Sequence, residues 1–437
     1  MLTQEENNAV TQVEGDASMA QLMERYWLPA TRSAELEADG APQRIRLLGR
    51  NLVAFRNTEG EVGVLDEHCP HRGASLALAR NENCTLQCLY HGWRIAPDGE
   101  LVETPSEPEN STFKDRVRAN AYPVWEAGGL VWTYLGPAEL EPEKPRFDFT
   151  ELPEEQLMII KGVEYCNWLQ CLEGAVDSAH LNWLHTNITR PDWLTHASDG
   201  PDSGGELLAN LTPEAPRLEA QSQPYGFRYG AIRPVPNDPD SKYIRATEFV
   251  MPFHSNFPGA AGHWAHHQAF VPIDDHNCMF FYIQYKTDGV PIPDEERPAM
   301  LEFAGVELDS LEHGRGEARE LPSAENLWLQ DREAMKNGTS FSGLRGINNE
   351  DFVVQESMSP IYDRTREHLG MSDVAVIRLR RVLLESLRKL AAGEAPSGLA
   401  EPVPYPSLRG GEGIIPKATD WWTVLKAESD EPAGKVS

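Results

Sequence analysis

Two short stretches hold the residues best suited to chemistry. Cys69-Pro70-His71-Arg72-Gly73 supplies one thiol and one imidazole, and Cys88-Leu89-Tyr90-His91-Gly92-Trp93 supplies a second of each. Four such ligands suit a structural zinc site of the Cys2His2 type. They equally suit a [2Fe–2S] cluster in which two Cys hold one iron and two His the other. A zinc finger usually keeps its two cysteines together and its two histidines together. Here each stretch offers one of each, as expected of a two-iron cluster clasped between two loops that both reach both irons. Pro70, Gly73 and Gly92 suit backbone that must pass close to bridging sulfides.

A second set begins at Asp177, in Glu-Gly-Ala-Val-Asp-Ser-Ala-His-Leu-Asn-Trp-Leu-His, which ends at His185. On a helix Asp177 and His180 share a face. His180 and His185 would lie about 140° apart, so they meet at one ion only if the helix ends or bulges between them. Two His and one carboxylate form the facial triad of non-haem Fe(II) oxygenases, which leaves positions open for dioxygen and substrate. The carboxylate has to come from elsewhere in the chain.

These residues need elements to hold them. Residues 18–27 carry apolar side chains at helical spacing. From about 43 to 135, β-type runs such as LVAFRN and GGLVWTYLG alternate with turn residues, which predicts a small all-β domain with both Cys/His stretches at loop tips. GPAELEPEKPRFDF reads as a linker. Beyond it lies an α+β region: 164–185 is predicted helical, followed by strands in GFRYGAIR, KYIRATEFVMPF, HHQAFVPI and CMFFYIQYK. Residues 372–391 predict an amphipathic helix with Val376, Leu379, Leu383, Leu387 and Leu390 on one face and Arg380, Arg381 and Lys389 off it. The 437 residues suffice for two or three domains. Formal net charge is -29, which argues against nucleic acid or anionic lipid as partners and requires a local cation for any anionic substrate. A start without a secretory pattern, and the lack of a long apolar run, make the cytoplasm the expected location with no membrane association. Six cysteines in a reducing compartment are better read as ligands or packing residues than as disulfides.

CPHRG and CLYHGW resemble the Rieske motif of bacterial aromatic-ring-hydroxylating oxygenases. They are less similar to respiratory Rieske proteins, whose loops carry an extra disulfide-forming cysteine pair. Asp-x-x-His-x-x-x-x-His from Asp177 resembles the iron motif of the same oxygenases. MLTQEEN, RYWLPA, RGASLALARNE, YGFRYGAIRP and ESMSPIYDRTREHLGMSD are similar to the phthalate dioxygenase-like group, which includes phthalate, chlorobenzoate and phenoxybenzoate dioxygenases. The resemblance implies a helical segment at 1–28, an all-β Rieske domain at 29–140, an α+β helix-grip (START-like) catalytic domain with an antiparallel sheet at 141–425, and a polar tail at 426–437. It implies Cys69, His71, Cys88 and His91 as [2Fe–2S] ligands, and Cys84 as a packing residue. It implies a mononuclear Fe(II) on His180, His185 and a late acidic residue. Asp351 matches that residue best, ahead of Glu350, expected as a solvated surface charge, and Asp331. Asp177 is implied to bridge electrons from His91 of a neighbouring subunit to His180.

The same resemblance implies a homotrimer or stacked homohexamer, fed with NADH-derived electrons by a flavin/[2Fe–2S] reductase. O2, two electrons and two protons would convert an aromatic ring to a cis-dihydrodiol; monooxygenation or O-demethylation would use the same parts. The implied substrate is an aromatic carboxylate gripped by arginine. Arg228, Arg233 and Arg245 are candidates, Arg245 sharing a strand face with Tyr243 and Thr247, and Ser178 can offer a hydroxyl. Phthalate dioxygenases use a further Arg where this chain has GGELLANLTPE, so a monocarboxylate or larger aromatic acid suits the chain at least as well as phthalate. Two other classes would use parts of this pattern: a pure electron carrier, with a cluster but no mononuclear iron, and a colourless zinc-dependent hydrolase.

Overall fold

The β-type runs of the N-terminal third pair into three antiparallel sheets in the computed structural model, which describes residues 1–189, 215–258, 264–305 and 322–424. Contacts divide the chain into two units, Gln12–Pro145 with Val271–Asp275, and Met1–Thr11 with Arg146–Phe270 and His276–Ser437. The expected segment 1–28 is therefore shared between them: helix Gln4–Thr11 goes with the larger unit and helix Ser18–Met23 with the smaller. The tail at 426–437 lies outside the described residues.

In the smaller unit, one sheet runs β1 (Trp27–Arg32), β11 (Leu130–Tyr134), β10 (Val124–Ala127). A second runs β2 (Gln43–Leu47), β3 (Arg50–Arg56), β4 (Val62–Asp66), β9 (Ala121–Tyr122). The third, β5 (Arg80–Glu82), β6 (Thr85–Gln87), β7 (Arg94–Ile95), β8 (Leu101–Glu103), consists of very short strands. Val53, Phe55, Leu65, Leu76, Leu86, Trp93 and Ile95 form a core that also takes in Cys69 and Cys88. The helix read over 18–27 stops at Met23, because Trp27 is drawn into β1 opposite Tyr134. That cross-strand aromatic pair has ring centroids 6.1 Å apart, an arrangement that stabilises sheets.

The larger unit is built on one antiparallel sheet with helices packed against it, the α+β layout expected. Its strands are β12 (Leu157–Glu164), β13 (Arg217–Gln223), β14 (Gly226–Val235), β15 (Asp238–Val250), β16 (His254–Pro258), β17 (Trp264–Pro272), β18 (Cys278–Lys286) and β19 (Gly411–Pro416). Their order is β12-β18-β17-β16-β15-β14-β13. β15 is long enough to pair along one edge with β19 over Ser241–Ala246 and with β16 over Glu248–Val250. The amphipathic helix forms as Val374–Ala391 and packs on β13 and β14. Arg380, expected off its apolar face, is buried instead. Glu173 and Glu367 reach it, and Glu173 also accepts from Arg364, with Nη2–Oε2 2.9 Å. Burial opposes the Glu173 charge, yet Arg364 and Arg380 hold its carboxyl below the usual range. Paired charges of this kind tolerate burial where a lone one would not. No helix among the described residues is long and apolar enough to cross a membrane.

Candidate active site

The two Cys/His loops fold alike. Cys69 N–H donates to Ala74 O at 2.8 Å and Gly73 N–H to Cys69 O at 2.9 Å. Cys88 N–H donates to Trp93 O and Gly92 N–H to Cys88 O, both at 2.9 Å. Gly73 and Gly92 close these turns at φ 74° and 75°, a left-handed conformation that favours glycine. Each loop thus seats its cysteine in the core and carries its histidine beyond it. The His71 and His91 ring centroids are 4.4 Å apart, and His71 stacks on Trp93 at 4.3 Å. Burial pushes the Cys69 thiol up to about 11. His71 Nδ1 is buried without a hydrogen-bond partner among the described residues. An orphaned imidazole nitrogen beside two buried thiols requires an explanation, and a metal cluster binding thiolates and neutral imidazoles supplies one. The residues fit a [2Fe–2S] group. Cys84 is not in these loops but in the Asn83-Cys84 turn between β5 and β6.

The predicted helix over 164–185 is broken. β12 runs to Glu164, a helix spans Trp168–Ala175, and His180–Asn182 is a 3-10 turn. Asn167 caps the helix start by accepting from Leu169 N–H. Gly174 lies so close to the helix Ile347–Ser357 that a Cβ there would stand 2.3 Å from Gln355 Nε2. Asp177 then accepts from Ala179 N–H at 2.7 Å, a side-chain turn that competes with continued helix. The break brings together two histidines that an unbroken helix would hold apart, with ring centroids at 5.1 Å.

His180 Nε2 and His185 Nε2 lie 3.5 and 3.4 Å from Asp351 Oδ1, and one donor atom from each residue falls within 4.8 Å of the others. Behind them, His180 Nδ1 faces Asp177 Oδ2 at 3.4 Å and His185 Nδ1 faces Glu350 Oε2 at 2.7 Å. Each imidazole therefore has one nitrogen for an ion and one held by a carboxylate, the arrangement that fixes a ligand's tautomer. Burial works against a charge on His185, but Asp351 and Glu350 outweigh it and hold it up at about 9. Three carboxylates converge on the two imidazoles, and two His with one Asp fit Fe(II).

Glu350 is not the surface charge expected. It is 2% exposed and accepts from the Ser342 hydroxyl as well as engaging His185. Successive helical residues point about 100° apart, so Asp351 faces the ion side while Glu350 passes behind His185. The signal for it in the sequence was the second nitrogen of each ligand histidine, which needs a partner of its own. Asp331 is elsewhere, exposed and capping the helix Arg332–Asn337 through Ala334 N–H.

A cavity opens at these ligands, lined by Ser178, Arg245, Phe257, Phe280, Phe352 and Glu164 among others. Arg245 is the only Arg or Lys among its described lining residues, and its Nη1 lies 3.4 Å from Glu412 Oε2. Ser178 Oγ is buried with no partner among the described residues. Arg228 is ruled out as a contact by strand alternation. Tyr229 and Thr247, paired across β14 and β15, line the cavity, whereas Arg228 is opposite Glu248 on the other face and 2.9 Å from it. Arg233 shares the face of Arg245 but does not line the cavity; its Nη2 donates to Ser178 O at 2.7 Å. GGELLANLTPE, at 204–214, lies outside the described residues. Glu164, not singled out from the sequence, is fully buried in the cavity wall.

Residues 26–120 match the Rieske [2Fe-2S] domain family and residues 133–435 the LigXa C-terminal domain-like family. The chain is 40% identical over 425 residues to the phthalate 4,5-dioxygenase oxygenase subunit of Pseudomonas putida, covering 96% of this chain and 94% of that protein. It is 36% identical to the 3-chlorobenzoate-3,4-dioxygenase oxygenase subunit of Comamonas testosteroni, covering 98% of each. NdmA of Pseudomonas putida CBB5, solved with caffeine, shares the fold with a TM-score of 0.60 at 20% identity, over 88% of this chain and 95% of that one. With one loop pair built for a two-iron cluster and one cavity built around a two-His, one-carboxylate triad, the chain belongs to the Rieske non-haem iron oxygenases, as an oxygenase component.

Proposed function

We propose that this oxygenase component uses O2 and NADH-derived electrons to cis-dihydroxylate an aromatic carboxylate in the cytoplasm, as part of aromatic catabolism. The observation that carries the substrate class is Arg245 in a cavity otherwise rich in Phe, beside the triad. A guanidinium grips a carboxylate with two parallel N–H bonds, and it answers the problem an anion meets in a chain of net charge -29. Cys69, His71, Cys88 and His91 would hold the cluster, and His180, His185 and Asp351 the iron; the first supplies single electrons and the second activates dioxygen.

The chain's own residues do the rest. Glu350 holds the proton on His185 Nδ1, leaving Nε2 free to ligate. Asp177 does the same for His180, and is the proposed entry point for electrons from His91 of a neighbouring subunit in a homotrimer or stacked homohexamer. Phe257, Phe270, Phe280 and Phe352 line the place of the ring and exclude water. Ser178 is positioned to add a hydroxyl to the carboxylate contacts. A flavin/[2Fe–2S] reductase is the proposed electron donor.

The test is a panel of benzoates, phthalate isomers and phenoxybenzoates, screened for stimulated NADH and O2 consumption with a surrogate reductase. Product analysis would separate the diol from a monooxygenated or O-demethylated product. Arg245→Met, which keeps stem volume, should weaken the best acid by about 2–5 kcal/mol, thirty-fold or more. Neutral arenes stimulating as well as their acids, or an unchanged apparent affinity in Arg245→Met, would overturn the assignment.

A further inference from the structure

Glu164 is a costly residue with no evident structural return. It ends β12 with no exposed surface, and among the described residues neither carboxyl oxygen has a hydrogen-bond partner beyond the weak thiol donor of Cys171. A buried carboxyl without a cation or hydrogen bonds is destabilising, and an apolar residue would pack the same wall. Its polar neighbours are the buried thiols of Cys166 and Cys171, which are weak donors. Burial keeps the Glu164 carboxyl well above the usual range, and nearby Asp351 and Glu356 push the same way. Burial favours the protonated carboxyl, which can donate one hydrogen bond and accept another. A buried polar group without a conventional partner calls for an explanation, and a ligand in the cavity supplies one.

Its position relative to Arg245 defines which part of a ligand it meets. Both line the same cavity. Glu164 is on β12, at one end of the sheet, and Arg245 is on β15, four strands along in the order β12-β18-β17-β16-β15. At about 4.8 Å per strand their backbones are about 19 Å apart measured across the strands. Less the reach of the two side chains, that leaves room for one or two aromatic rings. The cavity is thus cationic at one end and acidic but neutral at the other, with the triad also on its wall. A second carboxylate would find no Arg or Lys among the described residues lining the Glu164 end. A hydroxyl would find both a donor and an acceptor.

We propose that Glu164 is a specificity-determining residue: it receives, through paired hydrogen bonds, a hydroxyl substituent on the aromatic monocarboxylate, at the end of the ring system remote from Arg245. This deepens the aromatic-acid reading and rests on it.

The experiment measures dissociation constants by calorimetry for matched acids on the intact, metal-loaded enzyme. The pairs are benzoate with 3- and 4-hydroxybenzoate, and biphenyl-4-carboxylate with 4'-hydroxybiphenyl-4-carboxylate; isophthalate and terephthalate are the dianionic arm. In the wild type, the hydroxyl should strengthen one pair about tenfold, and neither dianion should bind better than benzoate. In Glu164→Leu the hydroxyl advantage should fall to about one, with affinity for the parent acid kept; Glu164→Gln, which still donates and accepts, should retain part of it. Thermal melts of the ligand-free proteins provide a second reading, since Glu164→Leu removes the unpaired carboxyl and should melt no lower than the wild type. Equal affinities within every wild-type pair, or an advantage that survives in Glu164→Leu, would overturn the proposal while leaving the aromatic-acid reading intact. If no aromatic acid binds in an Arg245-dependent way, the underlying reading fails instead.

Discussion

Glu350 offers the most direct probe of how the iron site is held. Its Oε2 lies 2.7 Å from His185 Nδ1, and both side chains are nearly sealed from solvent, at 2% and 3% exposure. Glu350→Gln keeps the size and can still accept the Nδ1–H bond, but it removes the charge. A charged hydrogen bond contributes about 1.5–3 kcal/mol against about 0.5–1.5 for a neutral one, so about 1–2 kcal/mol of support for His185 should go. Losses behind a ligand histidine typically weaken metal binding about 10–100-fold, and Glu350→Gln belongs at the lower end. Glu350→Leu should be worse, because it leaves the His185 Nδ1–H and the Ser342 hydroxyl without their acceptor. The assay is chelator competition for the mononuclear iron, with the visible spectrum of the cluster as internal control, since its ligands lie in the other unit. Wild-type iron affinity in both variants, with the cluster intact, would refute the assignment of Glu350 as the partner of His185.

Three further outcomes follow from the same geometry. Purified protein should be red-brown with roughly three irons and two labile sulfides per chain; a colourless protein with stoichiometric zinc would contradict both sites. Asp177→Asn should keep both metals, its contact to His180 being a longer 3.4 Å, but should lose coupled turnover if the Asp177 charge belongs to the proposed electron path. Stopped-flow should show its reduced cluster persisting with substrate and O2, and re-oxidation with product formation at the wild-type rate would reject the bridge. Glu173→Gln should destabilise the larger unit by about 3–5 kcal/mol in urea unfolding, by leaving Arg364 without its carboxylate and Arg380 with Glu367 alone. Since the folded Glu173 carboxyl is held low, its contribution is present above the ordinary carboxylate range and lost as pH falls through the lowered folded value. The gap between variant and wild type should therefore narrow in acid, and coincident unfolding curves at neutral pH would dismiss the network.

Much of the chemistry was legible from spacing alone. Cys69, His71, Cys88 and His91 could be grouped because a loop tip is a local structure, and its ligands are close in sequence. His180 and His185 could be paired for the same reason, together with the condition that the helix must break between them. At the break itself the Asp177 side chain accepts from Ala179 N–H, a contact that helical periodicity does not encode. Residues contributed from afar were less visible. Asp351 and Glu350 are neighbours of equal charge, and their roles differ only because the helix Ile347–Ser357 presents one to the ion side and the other to the back of His185. Arg228, Arg233 and Arg245 are alike as sequence. The register of β14 against β15 separates them, directing Arg228 to Glu248 and Arg245 into the cavity. Arg380 reads as a solvent-facing charge until Glu173 and Glu367 close on it. Sequence determines ligand type and local spacing; which charges are buried, and what they face, is decided by strand register and helix packing, because burial is a property of the assembled chain.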